Sequence, residues 1–194
     1  KLKDASWWEV PECVQISGEG RVSARPATEH GWAMVREDSC SPEVFEQDLR
    51  ESGVDTRVTK QKVLGANPRL DEFQVLAAVA ALGVGGALIS GGAGVGKSEV
   101  LRAIRDVLVA DGHKVRVCAY THAATRLVGG ETIARLLHLN VQLRDTWFLI
   151  DEIGLLPLST LGAISRWREL GARFVCFGDF QGQFEPFVDR WRMP

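Results

Sequence analysis

The eight residues Gly91-Gly92-Ala93-Gly94-Val95-Gly96-Lys97-Ser98 constrain this chain more than any other stretch. They satisfy G-x-x-x-x-G-K-[ST], a phosphate-binding loop with a physical rationale. Glycines carry no Cβ, so successive backbone N–H groups can converge on one anion. Lys97 is placed to reach β- and γ-phosphates, and the Ser98 hydroxyl to ligate Mg²⁺. The helix that follows adds the positive end of its dipole. The motif also dictates local structure, because it needs a strand before it and a helix after it. Ala87-Leu88-Ile89-Ser90 reads as a short buried strand. Glu99 to Ala110 reads as a helix, with Val100, Leu101, Ile104, Val107 and Leu108 apolar at helical spacing. Asp111-Gly112 stops it.

The rest of the second part of the chain repeats this alternation. Asp71 to Leu82, Thr121 to Val128 and Ser159 to Leu170 are predicted helices, the last closed by Gly171. Val115 to Tyr120, Trp147 to Ile150 and Phe174 to Phe177 are predicted strands. Their continuous apolar runs suit strands buried on both faces, as in a parallel sheet. Alternating strands and helices predict an α/β fold: a mostly parallel sheet with flanking helices, right-handed in its crossovers. The loop-bearing strand is read as the first of that sheet.

Residues 1–62 read as a separate N-terminal region of mixed structure, and residues 63–194 as the nucleotide-binding domain. Trp7-Trp8, Trp32 and several prolines and glycines alternate with short apolar pieces in the first region. Those tryptophans suit a small core, with base stacking as the alternative. One helix is predicted from Pro42 to Glu51, with Ser41 as N-cap, Pro42 in the first turn and Gly53 ending it. The net charge of −2 argues against a strongly basic coat for nucleic acid but leaves room for a local basic groove. Twelve acidic and nine basic residues precede Val63, against thirteen and fourteen from there on, so the acidic bias sits in the first region. Cys13, Cys40, Cys118 and Cys176 are far apart and form no C-x-x-C, which predicts neither a zinc site nor a disulfide framework. An intracellular, reducing setting is expected. No stretch is apolar enough to predict a membrane span, and Lys1-Leu2-Lys3-Asp4 lacks the apolar core of a signal peptide. With no initiator methionine, the chain is expected to be a fragment or a processed product.

Asp151-Glu152 ends the strand Trp147 to Ile150. Ligands of open parallel sheets sit beyond the carboxyl ends of the strands, so these carboxylates are expected beside the loop. Asp151 would hold Mg²⁺ directly or through water, and Glu152 would polarise a water for attack on the γ-phosphate. Gly178-Asp179-Phe180-Gln181-Gly182-Gln183 ends the next strand, and a glutamine there is placed to sense the γ-phosphate.

Taken in order, these pieces resemble superfamily 1 DNA helicases of the RecD-like and PIF-type branch. The matching segments are Leu70-Asp71-Glu72-Phe73-Gln74, Gly91 to Ser98, Ala119-Tyr120-Thr121-His122-Ala123-Ala124, Gly129-Gly130-Glu131-Thr132-Ile133, Phe148 to Ile153 and Gly178-Asp179-Phe180. The resemblance implies a P-loop NTPase of RecA-like fold that binds ATP and Mg²⁺. It implies that hydrolysis drives movement along single-stranded DNA and unwinding, with RNA not excluded as the strand. It implies that Gln74 reads the adenine edge, that Thr121 and His122 contact the strand backbone, and that Thr132 borders the DNA path. Gln183, with Gln181 as the alternative, matches the glutamine that couples γ-phosphate to DNA.

The chain departs from the family at three points, one of them Ala134, where the family often has a histidine after Thr132-Ile133. Gly182 occupies the usual glutamine position, so aligning Gln183-Phe184-Glu185-Pro186 needs one inserted residue. A second RecA-like domain with an arginine finger is expected as a partner outside this sequence, and neither Arg190 nor Arg192 has support in that role. Two other readings stay open: a P-loop ATPase or kinase that does not act on nucleic acid, and a nucleotide-binding module without turnover.

Overall fold

A computed structural model describes residues 13–16, 41–83, 85–139 and 141–179. Trp7, Trp8, Trp32, Cys40 and the segment carrying Gln181, Gln183, Arg190 and Arg192 lie outside the described residues. Six strands form one sheet: β1 (Cys13–Ile16), β2 (Ala87–Gly91), β3 (Lys114–Ala119), β4 (Glu131–Thr132), β5 (Thr146–Asp151) and β6 (Arg173–Gly178). Their order is β1-β2-β6-β5-β3-β4, and each pairing is parallel. The helices are α1 (Pro42–Glu51), α2 (Thr56–Ala66), α3 (Glu72–Gly83), α4 (Lys97–Ala110), α5 (His122–Val128), α6 (Ile133–His138) and α7 (Leu158–Glu169). A 3₁₀ turn, Ile153–Leu155, follows β5.

The apolar strand runs are buried on both sides because each face has its own core. On one face Trp147, Leu149, Val175, Phe177, Ile89 and Val117 pack with residues of α1 to α4. On the other, Phe148, Ile150, Phe174, Cys176 and Cys118 pack with Ile133 and Leu136 of α6 and Ile164 of α7. Successive residues of β5 and β6 therefore serve opposite cores, which is the period-2 rule applied to a two-sided sheet. Phe148 centres the second core, with its ring 4.9 Å from that of Trp167 and 5.5 Å from that of Phe174.

Helix α3 is apolar on all sides, with Val75 to Ala81 all buried. That composition marks a helix enclosed by other elements. Helices α1, α2 and α4 and strands β1 and β2 enclose it. Helix α1 has the expected bounds, with Ser41 at its N-cap and Pro42 opening it. Its end closes where Val54 N donates to Leu49 O at 3.0 Å.

Four elements, α2, β1, β4 and α6, differ from the sequence reading. Helix α2 was not anticipated, because Val58 and Leu64 are exposed and Thr56 and Val63 are its buried residues, which leaves no clear apolar stripe. It is held by polar contacts instead. Asp55 caps it by accepting from Val58 N at 3.0 Å, Glu46 of α1 pairs with Lys60, and Lys62 pairs with Asp111 at 2.7 Å. Strand β1 lies beside the loop-bearing strand, from Cys13 against Leu88 to Ile16 against Gly91. The loop therefore follows the second strand of the sheet in chain order, not the first. Residue 63, where the sequence was divided, falls inside α2, and α2 packs on α3 and α4. Strand β4 with α6 also escaped notice, since two residues of strand leave no readable period.

Candidate functional site

A parallel sheet collects the carboxyl ends of its strands on one edge. Here Ser90 lies against Gly178, Ile150 against Cys176, Asp151 against Ala119, and Ala119 against Thr132. The segments singled out after β2, β3, β4, β5 and β6 therefore meet at the same edge. Strand β6 separates β2 from β5, which sets the phosphate loop and Asp151 roughly 10 Å apart across the sheet.

The loop runs from Gly91 into α4. Gly94 and Gly96 both have φ of +81°, and Gly96 is the N-cap of α4. The Lys97 ammonium donates to the carbonyls of Gly91, at 2.5 Å, and of Gly92, at 2.7 Å, and so folds over the mouth of the loop. Gln74, half-buried at the third residue of α3, touches the same loop. Its Nε2 donates to Val95 O at 3.0 Å, and its Oε1 accepts from Asp71 N at 3.0 Å. Asp71 Oδ1 accepts in return from Gln74 N at 2.8 Å, a reciprocal cap on the helix.

A pocket of about 200 Å³ opens at this edge. Lys97 and Ser98 line it from α4, Asp151 and Glu152 from the end of β5, and Asp179 from the end of β6. One cation thus faces three carboxylates. Asp151 is buried, and its Oδ1 accepts from Glu152 N at 2.9 Å. Burial lifts the Asp151 carboxyl above its ordinary range, while that N–H and the Lys97 ammonium pull it down. Burial also lifts Glu152, Asp151 adds to the rise, and Lys97 opposes it. Glu152 has φ of 54°, in the left-handed region, as only Asp145 does among the other described non-glycine residues. A phosphate-sized pocket with a lysine at its floor and destabilised carboxylates on its wall suits a nucleotide triphosphate with a divalent cation. The cation would supply Lewis-acid chemistry at the phosphates.

The remaining candidates flank the pocket. Thr121 caps α5 by accepting from Ala124 N at 3.1 Å, and His122 beside it is exposed. Thr132 is buried and caps α6 by accepting from Arg135 N at 3.3 Å. Its hydroxyl thus serves its own helix. The two glycines before it have steric reasons to be glycine. Gly129 ends α5 with φ of 72°, and a Cβ on Gly130 would stand 2.4 Å from Val117 O.

Three pocket residues escaped the sequence reading. Leu127, 73% exposed on α5, and Gly154 and Leu155 on the 3₁₀ turn add to its walls. None belongs to a motif, and an isolated leucine in a short helix carries no signal of its own. Arg102 of α4 fixes α5 over the pocket by donating to Leu127 O at 2.8 Å.

Comparison with known proteins agrees with this geometry. The family described as AAA domain matches residues 69–186, more than half of the chain. The chain belongs to that family. This AAA domain carries the P-loop NTPase fold expected from the sequence, an α/β parallel sheet with flanking helices. The fold also matches the Pif1 helicase from Candida albicans with a TM-score of 0.50 and 21% identity, over 57% of this chain and 32% of that one. Unliganded Pif1 from Bacteroides sp gives a TM-score of 0.38 and 23% identity, over 47% of this chain and 27% of that one. The chain thus spans about a third of the length of the first helicase. A comparison with curated proteins found no match. Among the described residues no helix is long and apolar enough to cross a membrane.

Proposed function

We propose that this AAA domain binds and hydrolyses ATP with Mg²⁺ as the first RecA-like domain of a superfamily 1 DNA helicase. One observation carries the reading. Lys97, Ser98, Asp151 and Glu152 share a single pocket, and the segments bearing Thr121, His122 and Thr132 leave the same sheet edge. In this reading the loop N–H groups and Lys97 hold the phosphates, and Ser98 and Asp151 hold the cation. Glu152 takes the proton of the attacking water, and its raised affinity for a proton favours that role. Gln183 is proposed as the γ-phosphate sensor. Single-stranded DNA would cross the edge above α5, where His122 and Arg126 are exposed polar groups. A second RecA-like domain would supply an arginine across the pocket, without which hydrolysis falls by about 10³–10⁵-fold. An intracellular, reducing setting belongs to the same proposal.

The test is ATP turnover by a protein carrying this domain together with a second RecA-like domain, with and without single-stranded DNA. Stimulation by the strand, lost in Lys97→Ala, is the expected result. Turnover indifferent to any nucleic acid would favour a P-loop ATPase or kinase of another class and overturn the helicase reading.

A further inference from the structure

We infer that Gln74 is a positioning residue of the phosphate loop, a latch that holds the Val95–Gly96 turn in its anion-binding shape whether or not a base is bound. The inference rests on the reading of Gly91 to Ser98 as a phosphate cradle. Gln74 carries one carboxamide, and both of its polar atoms are engaged by protein. Oε1 accepts from Asp71 N, and Nε2 donates to Val95 O. The first bond anchors the carboxamide to the start of α3, and the second carries that anchor to the loop.

The anchor lies at the solvent-facing first turn of α3, and the helix is buried directly after it, from Val75 to Ala81. The loop, by contrast, has glycines at 91, 92, 94 and 96 and left-handed backbone at two of them. Such a loop loses much conformational freedom when it closes on an anion. A hydrogen bond that fixes Val95 beforehand removes part of that loss. The latch also bears on the next residue. A Cβ on Gly96 would stand 2.4 Å from Gln74 Nε2, so the carboxamide occupies the space that a side chain there would need. Gly96 is glycine for its left-handed φ of 81°, and the carboxamide packs directly against its Cα.

A residue that only reads a base matters for ATP and not for a ligand without a base. A latch matters for both. The experiment therefore uses inorganic tripolyphosphate beside ATP, each titrated with Mg²⁺ into the full chain by calorimetry. Gln74→Glu separates the bond to Val95 from the cap. Its carboxylate still accepts from Asp71 N and keeps the helix cap but cannot donate to Val95 O; because its added charge also repels both polyanions, the uncharged Gln74→Ala decides between latch and base reader. Loss of one such bond should weaken binding by several-fold, up to about tenfold. The expected result for Gln74→Ala is that loss, equal for tripolyphosphate and ATP, together with a lower melting temperature from the missing cap. Gln74→Glu should lose at least as much for both, with a melting temperature close to that of the parent chain. Unchanged tripolyphosphate affinity in Gln74→Ala, with weaker ATP binding, would overturn the latch and leave Gln74 as a base reader. Failure of the parent chain to bind either probe, or binding that survives Lys97→Ala, would overturn the cradle reading and the latch with it.

Discussion

Glu152 is a side chain kept in a place that disfavours it, and the penalty can be measured in two separable parts. Its backbone is left-handed, with φ of 54°, and its carboxylate is partly buried beside Asp151. Glu152→Gln removes the charge and keeps the backbone. Glu152→Asn removes the same charge with the same headgroup, one methylene shorter, and places in that backbone a residue type that tolerates it. Asparagine is several-fold enriched in the left-handed region, and a fivefold preference corresponds to about 1 kcal/mol. Loss of one partly buried methylene takes back a few tenths, so Glu152→Asn should exceed Glu152→Gln in stability by about 0.5–1 kcal/mol. For a chain of this size that is a melting temperature higher by about 1–4 °C. The charge part has its own signature. The folded pKa of Glu152 is raised above its ordinary 4.5, so its protonation favours the folded state. That stability is fully present below the ordinary value and is lost as pH rises through the folded one. Both amide variants should therefore melt above the parent chain near pH 7.5, and their advantage should shrink as the pH falls toward 4.5. The difference between Asn and Gln should not change with pH. Thermal melts of the three proteins at a series of pH values read both parts. An Asn variant less stable than the Gln variant would refute the strain argument, and a gap to the parent that widens in acid would refute the electrostatic one.

Three further outcomes follow from other parts of the structure. Asp151→Asn should abolish the tightening of nucleotide binding by Mg²⁺, seen by titration with and without the cation. It should also raise the melting temperature at neutral pH, because burial holds the Asp151 carboxyl above its ordinary value and its charged form disfavours folding. Phe148→Ala empties the middle of the second core and should cost about 3–5 kcal/mol in urea unfolding; a loss below about 1 kcal/mol would show that the core is not packed around this ring. Gly130→Ala drives a Cβ to 2.4 Å from Val117 O, against backbone that cannot yield cheaply. It should cost about 1–3 kcal/mol and disturb the start of α6, visible as faster amide exchange at Arg135.

The central fold was legible because its elements obey one strong rule each. Trp147 to Ile150 and Phe174 to Phe177 are continuous apolar runs, and the structure extends each by one residue at either end. Helix α4 starts at Lys97, two residues before the start at Glu99 read from the sequence, because the phosphate loop itself sets the first turn. Elements held by polar contacts were not legible. Nothing in the spacing of α2 foretells the pairing of Glu46 with Lys60 or of Lys62 with Asp111, since these partners lie far apart in sequence. Within the pocket, residues with a chemical reason to be there were readable: Lys97, Ser98, Asp151, Glu152 and Asp179. Leu127 and Leu155 were not, because a leucine at a pocket wall looks in sequence like any other leucine. For Gln74 the sequence supplied only the implication of base reading, and its contact with Val95 needed the fold to bring α3 and the loop together.

The two edges of the sheet differ in how they satisfy their residues, and the difference bears on what can be improved in this domain. At the amino edge several polar and aromatic groups are matched, although Asp145 is left-handed, with φ of 57°, and the buried Thr146 hydroxyl has no hydrogen-bond partner among the described residues. The Arg173 guanidinium lies 5.4 Å from the centre of the Trp147 ring, the His113 ring lies 6.1 Å from the same ring, and Lys114 Nζ donates to Gln142 Oε1 at 2.6 Å. At the carboxyl edge the fold carries left-handed glycines at 94 and 96, a left-handed Glu152 and a buried carboxylate at 151. The left-handed Glu152 and the buried Asp151 break local preferences, and both line the pocket. Local rules fail where a site needs charges and backbone dipoles that a stable interior would not choose. Stabilising substitutions at the carboxyl edge should therefore weaken nucleotide chemistry, whereas relief of the left-handed Asp145 or of the unpartnered Thr146 hydroxyl should leave the pocket unaltered. That asymmetry follows from a parallel sheet, which places all of its strand ends of one kind on one side.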